Sequence, residues 1–345
     1  IAASIAATTL PAAAMVSNLT NTLTSINSAD TNNATPQDAN TAPQNTAAAP
    51  TATPETGTQT GAPAVQAEPS PESMFITKNV EGGVAITGFR TNDANFTSDV
   101  VIPPTIGGKT VVALESTKDR QCMTGADQIT SLDTSNCASL SIGDFAFFFC
   151  TDITSVDLSN CTSIGNYAFL FCTGITSVDL SNCTSFSIGE QAFSRCSNIT
   201  SVDLSNCTSI GNNAFSHCSG ITKVTWSTSM STIPESCFAN CTNLKTFNSD
   251  TEGKFNLSDI TSIGKSVFED CSGITGSIDL SSCILIEESA FQNCSGITSV
   301  DLSSCTSIED YAFSNCSGIT GSVDLSSCTS IGNSAFYGCS GITSV

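Results

Sequence analysis

Histidine and tryptophan occur once each in the 345 residues, and only 12% of the chain is charged. These shortages remove whole classes of chemistry. A Ser-His-Asp arrangement would have to be built on His217, the single imidazole, which stands at a variable, outward-looking position in AFSHC. Catalysis is therefore poorly supplied. Bases are scarce too: 10 Lys and Arg face 31 Asp and Glu, for a net charge of −21. No basic stripe is present to neutralise phosphates, which argues against nucleic acid, and the same balance disfavours an anionic membrane surface. The apolar run at the start falls short of the ~20 residues that a spanning helix needs. C-x2-C pairs and Cys/His clusters are missing, so no zinc site is expected. Gly108-Lys109-Thr110 and Gly264-Lys265-Ser266 end like phosphate loops, but Pro103 and Asp259 occupy the required upstream glycine.

The chain is organised in blocks. Residues 1–17, ending near the small pair Ala12 and Ala14, read as the remnant of a secretory signal cleaved after Ala14. Residues 18–73 are Thr, Ala, Asn, Gln and Pro with almost no branched or aromatic side chain, so they are expected to form a disordered spacer. Residues 74–128 differ from the repeats that begin at 129, and Val84-Ala85-Ile86 and Val100-Val101-Ile102 read as short strands between turn residues. They are placed to cap an array. From 129 to 345 the unit I-G-x-x-A-F-x-x-C recurs about nine times, mostly every 22–24 residues. Such a period marks a solenoid. The chain stops on GITSV, part-way through a strand, so the array is expected to be truncated there.

Repetition has an energetic reason. About six apolar side chains per copy yield on the order of 2 kcal/mol each on burial, while ordering a copy's backbone costs roughly 1–2 kcal/mol per residue. One copy cannot fold alone; stacked copies can.

The unit I-G-x-x-A-F-x-x-C joined to I-x-x-V-x-L, with Ile175, Val178, Leu180, Cys183 and Ile188 in L-x-x-L-x-L-x-x-C phase, resembles the BspA-type leucine-rich repeat. The resemblance covers roughly residues 75–345. It implies a right-handed leucine-rich-repeat coil with short parallel strands on its concave face. It also implies a secreted or cell-surface protein that adheres to an extracellular protein or glycan, on host matrix or another cell surface. It brings no catalytic residues. DLSNC stands where many members have a Pro after the strand, which leaves the strand-exit turn open.

Three features are candidates for function. Asp133, Asp157, Asp179, Asp203, Asp279, Asp301 and Asp324 lie between the inward residues of successive strands and so point outward, beside serines such as Ser177 and Ser181. At strand spacing they form a ladder of like charges, which a basic partner or Ca²⁺ could bridge; a solvated, salt-screened acidic face is the plainer alternative. Second, the repeat breaks from Lys223 to Lys265: Thr225 replaces the Asp, Trp226 the Leu, NSDTEGKF is inserted, and Lys223, Lys245 and Lys254 gather there. Irregular loops on scaffolds often read partners, although a tolerated insertion with Trp226 in the core would look the same. Third, all of the 18 cysteines but Cys122 and Cys237 fall on two repeat positions, where buried thiols and disulfides both remain open. Cys237 merely replaces the Ala before Phe238, and Asn-Cys-Thr/Ser at Asn160, Asn182 and Asn293 is either a glycan acceptor or a turn-closing amide. The leading reading is an adhesion scaffold. The others are a spacer or targeting module of a larger surface enzyme, and a structural component of a surface layer or biofilm.

Overall fold

The computed structural model describes residues 67–117, 120–180 and 182–345. The signal remnant, the cleavage after Ala14 and the spacer up to residue 66 lie outside the described residues, as does Ser181. Residues 67–73, expected to be spacer, belong instead to the ordered chain. Ser70 exchanges hydrogen bonds with Val101, its N–H reaching the Val101 carbonyl at 2.9 Å and its hydroxyl accepting the Val101 N–H at 3.0 Å. A 3-10 turn, Glu72–Met74, comes next and buries Met74.

The described residues from 67 to 345 form a solenoid of about nine turns with almost no helix. Each regular coil carries two short strands. One set contains Ser131–Asp133, Ser155–Asp157, Ser177–Asp179, Ser201–Asp203, Gly276–Asp279 and Ile297–Asp301. The other set is not evident from the repeat pattern; it runs through Leu140–Ile142, Cys161–Ile164, Phe186–Ile188 and Cys207–Ile210 and resumes at Thr232–Ile233. Pairing is parallel and in register: Ser155, Val156 and Asp157 face Ser177, Val178 and Asp179. Gly189 sits where the chain leaves the second strand, and a Cβ there would lie 2.6 Å from the Asn166 backbone nitrogen. Two coils carry one residue more, in TGS, and absorb it as bulges at Gly276 and Gly321, at φ of 83° and 81°.

The return arm has no strand yet is bonded just as regularly. Phe145, Phe147 and Phe149 donate their N–H groups to the next coil, at 3.0, 2.8 and 2.9 Å, while Phe148 and Cys150 donate backward within their own coil. Two residues of this arm, four apart, are left-handed, with Phe145 at φ 57° and Phe149 at 64°, and the same two positions repeat along the array. A left-handed non-glycine residue costs about 1–2 kcal/mol, and the inter-coil hydrogen bonds offset it.

Three ladders of Phe and Cys run through the core, among the Ile, Leu, Val and Ala side chains that fill the rest of it. Phe147, Phe169, Phe193 and Phe215 stack at 5.0, 5.1 and 5.3 Å with interplanar angles of 7°, 3° and 2°. The stack continues to Phe336, widening to 5.9 and 6.0 Å on either side of Phe238. Two cysteine ladders run beside it, and none of the 18 cysteines forms a disulfide. From Cys172 onward each thiol of the return arm donates to the carbonyl of the Phe one coil earlier: Cys172 to Phe147 at 2.9 Å, Cys218 to Phe193 and Cys316 to Phe291 at 3.0 Å. Burial pushes these thiols up, Cys218 and Cys316 to about 12. The cysteine is thus a small apolar filler with one donor aimed at a carbonyl. Cys237 is fully buried filler.

The segment 74–128 closes the first coil on both sides. Phe75–Val80 and Gly83–Phe89 form an antiparallel hairpin whose second strand pairs with Lys109–Leu114, and that strand pairs with Leu140–Ile142. Asp99–Val101 meanwhile pairs with Ser131–Asp133, starting the other sheet. No helix among the described residues is long and apolar enough to cross a membrane.

Candidate functional site

The seven ladder aspartates occupy one position of successive coils. Asp133 faces Asp157 and Asp157 faces Asp179; Asp279 faces Asp301; Asp203 faces Thr225. Asp179, Asp203, Asp279, Asp301 and Asp324 are exposed, and Asp133 and Asp157 half-buried. The outward position is as expected, but the side chains fold back. Oδ1 of Asp133, Asp157, Asp203, Asp279, Asp301 and Asp324 accepts the N–H of the residue two further on, at 2.8 to 3.0 Å. This is an Asx turn, and it answers how DLSNC leaves the strand without a proline. In Asp279 and Asp324 the hydroxyls and N–H groups of Ser281 and Ser326 hold the carboxyl below its ordinary value. In these six aspartates the carboxylate thereby commits one oxygen to its turn. Among the described residues no three His, Cys, Asp or Glu side chains are grouped to hold a metal ion.

The ladder loses its charge at one place. Thr225 takes the Asp position in one coil, and in the next Phe255-Asn256-Leu257 replaces Val-Asp-Leu. Asn256 bridges to Asp279 and accepts the Ser258 N–H at 3.1 Å, reproducing the turn without the charge. The insertion leaves the sheet just before this point. Phe247 and Phe255, at its two ends, are both in the core, 5.2 Å apart, and Phe247 exchanges backbone bonds with Lys254 and Asn256. Residues 248–254 therefore project as a closed loop from the strand face.

Around the loop the structure brings together two of the three candidate lysines. Lys223 and Lys245 line an open cleft of about 360 Å³ with Thr222, Thr246, Asp250 and Glu252. Lys223 pairs with Asp250 at 3.7 Å. Lys254 lies apart from the cleft, near Asp279, whose carboxyl it helps to keep ionised. Asp250 and Glu252 belong to this site although composition gave no hint of their placement. Trp226 is not part of it: its ring is in the core against Phe238 and Phe247, and Nε1 donates to the Met230 carbonyl at 2.9 Å.

Two other sequence features find structural uses. The Asn160 amide donates to the Ser135 carbonyl of the preceding coil at 3.0 Å, and the Asn293 amide to Asp270 at 2.8 Å. Both amide nitrogens of these Asn-Cys motifs are engaged in joining coils. His217 is half-buried on the return arm. Burial, and then the Arg195 charge, push its pKa below the ordinary value of 6.5.

The chain is similar to a leucine-rich repeat protein of T. pallidum, with 24% identity over 60% of this chain and 91% of the other and a TM-score of 0.48. It is also similar to a leucine-rich repeat protein of Bacteroides ovatus, at 21% identity over 77% and 91% of the two chains and a TM-score of 0.41. A leucine rich cell surface protein of Faecalibacterium prausnitzii matches at 20% identity over 81% and 95%, with a TM-score of 0.42. No curated protein matches by sequence. The profile of the BspA type leucine rich repeat region matches residues 119–245 and 248–345 in six copies. With that match over most of its length, the repeated Phe and Cys ladders and the paired strands of every regular coil, the chain belongs to the BspA-type leucine-rich-repeat family.

Proposed function

We propose that this repeat scaffold is an adhesion protein, secreted or displayed at a cell surface, that holds an extracellular protein on its Ser-x-Asp face around the loop 248–254. The observation that carries the reading is the break in the acidic ladder. Elsewhere the face repeats one polar pattern. At Thr225 and Asn256 it becomes neutral, a loop rises, and Lys223 and Lys245 meet Asp250 and Glu252 in one cleft. A mixed-charge loop flanked by uniform acid suits a partner with a basic patch for the ladder and an acidic spot for the lysines. Repeated equivalent aspartates add avidity along an extended partner. The signal-like start of the sequence supports export.

The test is binding of the full chain to a panel of immobilised extracellular-matrix proteins. Lys223→Glu with Lys245→Glu is expected to weaken binding about tenfold, in line with charge reversal at an interface. Lys109→Glu, on the capping segment, leaves it unchanged. No binding across the panel would favour the spacer reading instead. Antibody against the coils labels intact source cells if the protein is displayed, and labels only lysed cells if it is not.

A further inference from the structure

The return arm carries a second, unrelated surface. One row of side chains precedes each buried cysteine; over four coils it reads Phe171, Arg195, His217 and Asn240. A second row comes just after each cysteine and reads Thr173, Ser197, Ser219 and Thr242. Together these eight residues line an open cleft of about 450 Å³. Both rows repeat at the coil spacing, which the core phenylalanines of these coils set at 5.1 to 5.9 Å.

The cleft carries a positive charge, Arg195, on a chain whose net charge is −21. The Arg195 guanidinium lies over the Phe171 ring at 5.3 Å. Among the described residues no carboxylate forms an ion pair with it, in a chain of net charge −21. Stacking on a ring fixes the plane of the guanidinium and leaves its N–H edge free for a planar acid. His217 stands one coil further, held toward the neutral form, in which one ring nitrogen donates and the other accepts. Beyond Asn240 the row turns acidic at Asp270, which accepts from Asn293 at 2.8 Å. A negative ligand group is thus drawn to the Arg195 end.

We propose that this cleft binds a glycan strand bearing a carboxylated sugar, with the carboxylate in the fork of Arg195 and sugar hydroxyls on His217, Asn240 and the Thr/Ser row. The coil spacing is close to the rise of one pyranose unit in an extended chain, so successive sugars meet equivalent hydroxyls. An acidic peptide fits less well. An extended peptide needs main-chain partners, and here the Arg195 and His217 N–H groups are already given to Ser216 and Ala239 of the next coil at 2.8 and 2.7 Å. The cleft offers a sugar side-chain donors and acceptors and offers a peptide backbone no ladder.

His217 is the only histidine, so its ring gives a single set of NMR signals and reports on the cleft without further assignment. The full chain is titrated with an oligosaccharide of alternating glucuronic acid and N-acetylglucosamine, with its carboxyl-reduced counterpart, and with oligoglutamate. The expected result is saturable movement of the His217 signals with the acidic sugar alone. Arg195→Gln weakens it about tenfold or more, as loss of a bidentate charged hydrogen bond does, and Arg195→Lys weakens it less. Folding of each variant is checked by the fluorescence of buried Trp226. Absence of movement at millimolar sugar, equal binding of the reduced sugar or of oligoglutamate, or undiminished binding by folded Arg195→Gln would each overturn the proposal. Lys223→Glu with Lys245→Glu leaves this titration unchanged, so its outcome is separate from that of the matrix-protein test.

Discussion

Replacing Phe193 by alanine cuts the ring stack in the first half of the array. Phe193 is fully buried, with Phe169 at 5.1 Å on one side and Phe215 at 5.3 Å on the other. Phenylalanine to alanine in a packed core costs about 3–5 kcal/mol, and two lost ring contacts place this position at the upper end. Phe336 is half-buried and stacks on Phe313 alone, at 5.3 Å, so Phe336→Ala should cost about half as much. The two variants also differ in kind. A repeat array is stable through its nearest-neighbour interfaces, so a cut at Phe193 uncouples the coils before it from those after it. Urea unfolding is tracked by far-UV circular dichroism, which sees every coil, and by fluorescence of Trp226, which sees only the coils around Phe238 and Phe247. The wild type gives coincident transitions; in Phe193→Ala the two probes separate. Equal losses in both variants, within about 0.5 kcal/mol, with coincident probes, would refute the view that the ladder carries the coupling.

The same geometry sets three further outcomes. Asp203→Ala loses the acceptor for the Ser205 N–H at 2.9 Å and should cost about 0.5–1.5 kcal/mol in thermal or urea unfolding; Asp203→Asn keeps the turn, as Asn256 does, and should be neutral or stabilising at low salt. The buried thiols make the fold sensitive to alkali: free thiols ionise near 9.0, whereas Cys207 and Cys283 are pushed up to about 11 and about 12 by burial. The unfolded chain then releases protons first, so stability is intact below pH ~9 and falls between pH ~9 and ~11 by roughly 1.4 kcal/mol per unit for each such thiol; a melting midpoint that stays flat over that range would contradict it. Millimolar calcium should leave the melting midpoint unmoved, because Oδ1 of six of the ladder aspartates is engaged by its own turn; a rise of several degrees would show an ion bridging the other oxygens.

The parts of the fold that depend on burial can be read from residue type. Ala192, Phe193, Cys196 and Ile199 recur because a stacked interior admits little else, and all four are fully buried. The outward register of Asp157 and its equivalents comes from period-two alternation. Alternation says which way a side chain leaves the backbone, but not that its oxygen returns to the N–H two residues on. The second sheet is hidden because Cys161–Ile164 offers one inward residue at each end and polar residues between, with no β-rich signature. The row holding Arg195 and His217 is hidden for another reason. Its left-handed backbone is fixed by hydrogen bonds to the next coil, so the position accepts Phe149, Arg195, His217, Asn240 or Asp270 and shows no pattern. The order at position 70 escapes a composition-based reading because Ser70 is held by partners 31 residues away in sequence.

The way residues 248–254 are attached separates what the chain can vary from what it must keep. Phe247 and Phe255 bond across the base of the loop and fill the interior beneath it, so the coil is complete without the residues between them. Lengthening such a closed loop costs only about 0.6 kcal/mol per doubling. The position is therefore a socket, where new recognition segments can be exchanged while the supporting ladders stay untouched, and grafting a foreign loop between Phe247 and Phe255 would use the scaffold as it is already built.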